Sequence, residues 1–134
     1  MTQIINNLWL CSWREANELF PTNPLVINCT KDLPFLTENT IRIPLDDLPE
    51  DSQVLNKHIF YICEKIKNYL PDGPVIVHCF QGVSRSATVI TCYIMIYYNL
   101  NQEDAIKYIR NLRPQSLFFI HFQDTFNFVK NRLL

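Results

Sequence analysis

The stretch that most constrains this chain is His78-Cys79-Phe80-Gln81-Gly82-Val83-Ser84-Arg85-Ser86. Ahead of it, Gly73-Pro74 introduces Val75-Ile76-Val77, an apolar β-branched run that reads as a buried strand. Behind it, residues 87–98 are apolar on nearly every face, which predicts a buried helix. The stretch is therefore a loop between the C-terminal end of a strand and the N-terminus of a helix. Free backbone N–H groups converge at such a place and the helix dipole favours negative charge, so it suits an anion.

The side chains fit an anion that reacts. Cys79 opens the loop and Arg85 closes it, with five residues between. A thiol near a helix N-terminus and a guanidinium favours the thiolate, which is the nucleophilic form. Arg85 has the planar fork that grips two phosphate oxygens at once. Gly82 allows close backbone approach or a positive φ, and Ser84 and Ser86 add small hydroxyls at the loop–helix junction. The chemistry implied is attack of a thiolate on a bound phosphoryl group. Such a reaction needs a second group, because the leaving oxygen requires a proton and water must then be activated. One carboxylic acid can do both.

The loop His-Cys-x-x-Gly-Val-Ser-Arg-Ser resembles the signature of the cysteine-dependent protein phosphatases. Its run Gly-Val-Ser-Arg-Ser-Ala-Thr resembles the dual-specificity branch. That resemblance implies a compact protein tyrosine phosphatase-like α/β fold and a metal-independent mechanism with no cofactor. It assigns Cys79 as nucleophile, and Arg85 with the backbone amides of Phe80, Gln81, Gly82, Val83 and Ser84 as the phosphate grip. It gives Ser86 the task of stabilising the thiolate and helping its departure, and makes His78 the residue that orients the loop. The segment Ile43-Pro44-Leu45-Asp46-Asp47 resembles the family's Ile-Pro-x-x-Asp, whose last residue is the general acid. The match points to Asp47, with Asp46 as runner-up; Glu50 and Asp51 read as solvated loop. Two departures stand out. The segment Arg113-Pro114-Gln115-Ser116-Leu117 lacks the Pro-Asn that often follows Arg-Pro in the family, and its spacing to Gln123 differs. The sequence also opens almost directly on its first strand, so neither the N-terminal recognition helix of some relatives nor a basic kinase-docking module is expected.

The expected substrate is a phosphorylated protein carrying phosphotyrosine, phosphoserine or phosphothreonine. Two alternatives use the same loop: a phosphatase of RNA 5′-triphosphate or of phosphoinositides, and a pseudophosphatase that only holds phosphoproteins. The uncharged Phe80, Gln81 and Val83 disfavour polyanionic substrates, and the presence of Cys79, Arg85 and Asp47 disfavours a pseudoenzyme.

The rest of the chain supports one α/β domain of 134 residues, long enough for a proper core. In order, the expected elements are an edge strand within 4–10, a short helix 13–19 capped by Ser12, a turn at 20–24, and strands 25–28 and 41–43. An amphipathic helix 53–69, the strand and loop already described, a helix after Asn101 ending near Leu112, and a last helix from Leu117 to Leu133 follow. Strands alternating with helices predict a mainly parallel, twisted central sheet with helices around it, and a site at the strands' C-terminal ends.

A net charge of −1 without blocks of like charge argues against a nucleic-acid surface. No run is long enough to span a bilayer and no lipidation pattern occurs, so no membrane association is expected. The five cysteines form no Cys-x-x-Cys pair, which suggests neither a disulfide scaffold nor a zinc site. Free thiols point to a reducing compartment, the cytoplasm first and the nucleus second. Cys11, Cys63 and Cys92 read as core. Cys29, at the end of a strand, is a candidate for a regulatory disulfide with Cys79. His58 and His121 read as surface or partly buried helical residues without a role. The series Phe118, Phe119, Phe122, Phe126 and Phe128 reads mostly as core, with a patch for a partner or a second subunit as the other reading.

Overall fold

The computed structural model describes residues 1–18 and 23–134. The expected turn at 20–24 and the end of the first helix at Leu19 therefore lie wholly or partly outside the described residues.

Five strands form one sheet: β1 (Thr2–Ile5), β2 (Leu8–Ser12), β3 (Leu25–Asn28), β4 (Thr40–Arg42) and β5 (Val75–Cys79). Their order is β1-β2-β5-β3-β4, with β1 antiparallel to β2 and the other three pairings parallel. The mainly parallel sheet expected from the sequence is present. One element differs: residues 4–10 are not a single edge strand but a hairpin. Asn7, at φ 69°, turns the chain between β1 and β2. Asparagine tolerates this left-handed conformation better than most residues. Of these two strands β1 is at the sheet's edge, whereas β2 lies inside the sheet against β5.

Strand β5 is the middle of the sheet and is buried along its whole length. Its alternating side chains serve two cores. Val75 and Val77 join the larger one with Leu8, Leu10, Ile27 and Ile59; Ile76 joins a smaller one with Cys11, Ala16 and Val26. Each such side chain contributes about 1.5–3 kcal/mol by leaving water. The smaller core is covered by α1 (Trp13–Glu18), which starts with a capping box. Glu15 N donates to Ser12 Oγ at 3.0 Å, and Ser12 N donates to Glu15 Oε1 at 2.9 Å.

The larger core lies under α2 (Ser52–Tyr69), α3 (Arg85–Tyr98), α4 (Gln102–Leu112) and α5 (Gln123–Leu133). Helix α3 is buried from Ser86 to Met95, as its all-round apolarity predicts. Its polar positions are satisfied internally, since Thr88 and Thr91 donate to the carbonyls of Ser84 and Ala87. Asn99, at φ 55°, ends α3, and Asn101 caps α4 by accepting from Asp104 N at 2.8 Å. The last helix is shorter than expected. It begins at Gln123 rather than Leu117, because Leu117 adopts φ 56° and residues 113–122 form a connecting loop instead. Among the described residues, no helix is long and apolar enough to cross a membrane.

Candidate active site

Strand β5 delivers Cys79 to the sheet's C-terminal edge, and the chain loops directly into α3 at Arg85. Every carbonyl of the loop from Phe80 to Ser84 is engaged from outside. Trp13 N donates to Phe80 O at 3.1 Å, and Leu117 N donates to Val83 O at 2.7 Å. Arg113 donates to Gln81 O at 3.4 Å and to Gly82 O at 2.9 Å. Thr88 N and Thr88 Oγ1 both donate to Ser84 O at 2.8 Å. With the carbonyls turned outward, the peptide N–H groups are free to face the loop's hollow, the arrangement an anion needs.

Arg113 is the main brace. It is buried, 5% exposed, and sequence reasoning treats it only as the end of a helix. Besides the two loop carbonyls it bonds Glu15 Oε1 at 2.7 Å and Thr2 Oγ1 at 3.0 Å. Glu15 also pairs with the chain's terminal ammonium at Met1. Burial alone would raise the Glu15 carboxyl, but Arg113, the terminal ammonium and the Ser12 amide outweigh that and hold it well below the usual carboxylate range. Gly82 completes the brace through its backbone: at φ 70° it brings the loop against the end of β2, where a Cβ would meet Cys11 and Ser12 backbone atoms.

Inside the loop, Cys79 Sγ lies 3.1 Å from Ser86 Oγ and accepts from Gly82 N at 3.3 Å. Both contacts stabilise negative charge on sulfur. His78 is fully buried, with Nδ1 3.2 Å from Cys79 O, so it fixes the backbone on which the thiol sits. Burial pushes its pKa down, against the opposing pull of the Cys79 carbonyl. Ser84 occupies the N-cap position of α3 yet makes no cap; its hydroxyl donates instead to Asp47 Oδ1 at 2.6 Å. The first-turn amides of α3 thus keep no side-chain cap of their own. Arg85 Nη1 donates to Leu45 O at 2.9 Å, which ties the loop carrying Asp47 to the site.

The two neighbouring aspartates point apart. Asp47 lines a pocket of about 270 Å³ together with Cys79, Phe80, Gln81, Val83, Ser84 and Arg85. Asp46 pairs with Lys31 at 2.7 Å, while its own amide donates to Asp51 Oδ2 at 2.6 Å. Asp51 is therefore not the solvated carboxylate expected from the sequence, since it staples the acidic loop. A larger open groove of about 1210 Å³ runs beside α4 and α5, but none of the loop residues lines it.

Two expectations about other residues are corrected. His121 is not on a helix: it sits in the connection ahead of α5, with Nδ1 3.0 Å from Asp47 Oδ1. The aromatic series splits, with Phe122 and Phe126 fully buried and Phe118 and Phe119 exposed at 74% and 68%. His58 stays half-buried on α2. Cys29 follows β3 one step beyond the Asn28–His78 pairing, and its amide donates to His78 O at 2.9 Å, which sets it level with Cys79. Burial, and then the neighbouring Cys79, pushes its thiol well up.

Sheet order, loop and helix together define the protein tyrosine phosphatase-like fold. The family described as dual specificity phosphatase, catalytic domain, matches residues 9–131, and the chain belongs to that family. Tyrosine-protein phosphatase yvh1 of Schizosaccharomyces pombe is 30% identical over 122 residues, covering 84% of this chain and 36% of the relative. Dual specificity protein phosphatase 8 of Mus musculus is 33% identical over 124 residues, covering 85% and 18%. The chain thus spans well under half the length of these curated relatives. Among solved structures, human DUSP28 superposes with a TM-score of 0.84 at 21% identity, covering 99% of this chain and 97% of that one. The human tyrosine phosphatase-like serine/threonine/tyrosine-interacting protein gives a TM-score of 0.79 at 20% identity, covering 99% and 97%.

Proposed function

We propose that the chain hydrolyses phosphotyrosine and phosphoserine or phosphothreonine in proteins through a cysteinyl-phosphate intermediate. The observation that carries this reading is the loop itself: five outward-bonded carbonyls around one thiol, with a carboxyl group across the pocket. The thiolate of Cys79 attacks phosphorus while the loop amides and the Arg85 fork hold the three phosphoryl oxygens. Asp47 gives its proton to the leaving oxygen as the P–O bond breaks. As a carboxylate it then takes a proton from water, which attacks the phosphocysteine and releases phosphate, with Ser86 supporting the departing sulfur. His78 holds the backbone under the thiol. Among the described residues, Arg85 is the only cationic side chain lining the pocket, which supports a phosphomonoester over a polyanionic substrate.

The test is a series of aryl phosphates with leaving groups of graded basicity. Cys79→Ser should abolish turnover while the protein still binds vanadate. Asp47→Asn should lose about 10²-fold or more on poor leaving groups and much less on good ones. Asp46→Asn should behave like wild type, since its side chain faces Lys31. Near-native turnover by Cys79→Ser would sink the thiolate mechanism; leaving-group selectivity in Asp46→Asn rather than Asp47→Asn would reassign the acid.

A further inference from the structure

Asp47 accepts two hydrogen bonds, and both arrive at the same oxygen. Ser84 Oγ lies 2.6 Å and His121 Nδ1 3.0 Å from Oδ1. Among the described residues, no protein group bonds Oδ2. A carboxyl oxygen that accepts two donors is a poor place for a proton, because the O–H would face N–H and O–H groups rather than lone pairs. The acidic proton of Asp47 is therefore directed to Oδ2, the oxygen left for a leaving group. When that proton departs, the new carboxylate already has two donors in place.

We infer that His121 is a positioning residue for the general acid: it acts through Asp47, holding Oδ1 so that Oδ2 presents the proton. The inference rests on the reading of Asp47 as the acid. His121 is itself held. Its ring stacks on Phe119, with centroids 6.3 Å apart and planes 18° from parallel. The connection that carries it is pinned to the phosphate-binding loop by Leu117 N on Val83 O and by Arg113 Nε on Gly82 O. Residues from three separated segments thus meet at one carboxyl group: the acidic loop, the start of α3 and the connection before α5. The contact requires Nδ1 to carry a proton, so the neutral ring serves as the Nδ1–H tautomer and the charged ring serves equally. In the step itself, the S–P bond forms as the P–O bond breaks. The proton moves from Asp47 Oδ2 to the leaving oxygen, and the charge left on Asp47 is met by Ser84 and His121.

A residue that acts only through the acid should matter when the leaving group needs a proton and not otherwise. The probes are a phosphothreonine peptide, which departs as an alkoxide, and 4-nitrophenyl phosphate, whose phenolate leaves readily; kcat/KM reports the first chemical step. His121→Leu should lower kcat/KM for the peptide about 10- to 100-fold, the loss of one hydrogen bond to a charged group. It should lower the aryl ester less than about threefold. His121→Asn keeps a donor near the Nδ1 position and should recover most of the loss. Placed on Asp47→Asn, His121→Leu should add under about twofold, because the two act as one unit. Equal losses on both substrates, no rescue by Asn, or an undiminished loss in the Asp47→Asn background would each overturn the inference. If Asp47→Asn itself shows no preference between the two substrates, it is the assignment of Asp47 that fails. His121 is one-third exposed, and thermal unfolding of each variant separates a folding defect from the effect sought.

Discussion

Replacing Gly82 with alanine adds one methyl group at the point where the loop leans on the sheet. Two costs follow. The first is conformational: φ is 70°, and the left-handed region costs a residue with a Cβ about 1–2 kcal/mol. The second is steric. The new carbon would stand 2.5 Å from the carbonyl carbon and oxygen of Cys11 and 2.6 Å from Ser12 N. Those are backbone atoms of β2, paired with His78 and Cys79 of β5, so no side chain can swing aside. Reaching an ordinary contact near 3.5 Å requires loop and strand to separate by about 1 Å. That motion strains the bonds from Trp13 N to Phe80 O and from Arg113 Nε to Gly82 O, each contributing about 0.5–1.5 kcal/mol. Together the loss should be about 2–5 kcal/mol, lowering Tm by roughly 10 °C in a domain of this size. The same displacement of the loop amides should reduce kcat/KM of order 10²-fold. Urea unfolding and turnover of an aryl phosphate measure the two effects on one preparation. A loss under about 1 kcal/mol with activity within threefold would mean that the loop does not depend on this close approach.

Two further predictions concern charged groups. Arg85→Lys keeps the charge and loses the fork and the bond to Leu45 O, so kcat/KM should fall of order 10²-fold or more; a loss under about threefold would remove Arg85 from the phosphate. Glu15→Gln should destabilise the protein at neutral pH and lose that effect in acid. The folded carboxyl is depressed, so its contribution is complete above the unfolded value of about 4.3 and disappears as pH falls from there through the folded value. The gap between the urea midpoints of the two proteins should be narrower at pH 3 than at pH 7 without closing, because the folded value lies lower still, and a constant gap would show that Glu15 acts by packing alone.

Parts of this molecule are plain in the sequence because local chemistry fixes them. Strands β3 and β5 are buried along their whole length, and both open on apolar runs; Leu25–Asn28 is read to the residue, while β5 continues through His78 and Cys79, which the sequence reads as loop. Ser12 and Asn101 announce helix starts because their side chains reach only three residues ahead. Asp47 is reached by resemblance to Ile-Pro-x-x-Asp, and neighbours on an extended segment should point to opposite sides, as Asp46 and Asp47 do; the partners of each appear only in the structure. What is hidden depends on distant partners. Leu117, Phe118, Ile120 and Phe122 recur as a helix would, yet Leu117 turns left-handed to put its amide on Val83 O. His121 meets a carboxyl group 74 positions earlier and Arg113 a carbonyl 31 positions earlier. No local pattern encodes either contact. The one available hint was that the segment after Arg113-Pro114 departs from the family's Pro-Asn pattern, and that departure falls in the connection that carries His121.

The outward bonding of the loop carbonyls also sets when the site comes into being. Trp13 is synthesised before the loop and Thr88 directly after it, but Arg113 and Leu117 are synthesised well after Cys79. A growing chain that ends short of Arg113 can already have β5 and its thiol, yet the carbonyls of Gln81, Gly82 and Val83 then lack their partners. Peptides without those anchors rotate, and the hollow that gathers an anion is not held open. Because the N-terminal part is made first, the Cys79 thiol exists for a time without the cradle around it. The cradle is thus completed late, when residues 113–134, about the last sixth of the polypeptide, dock. A nascent or truncated chain by the same logic lacks a held hollow, however well its sheet has formed.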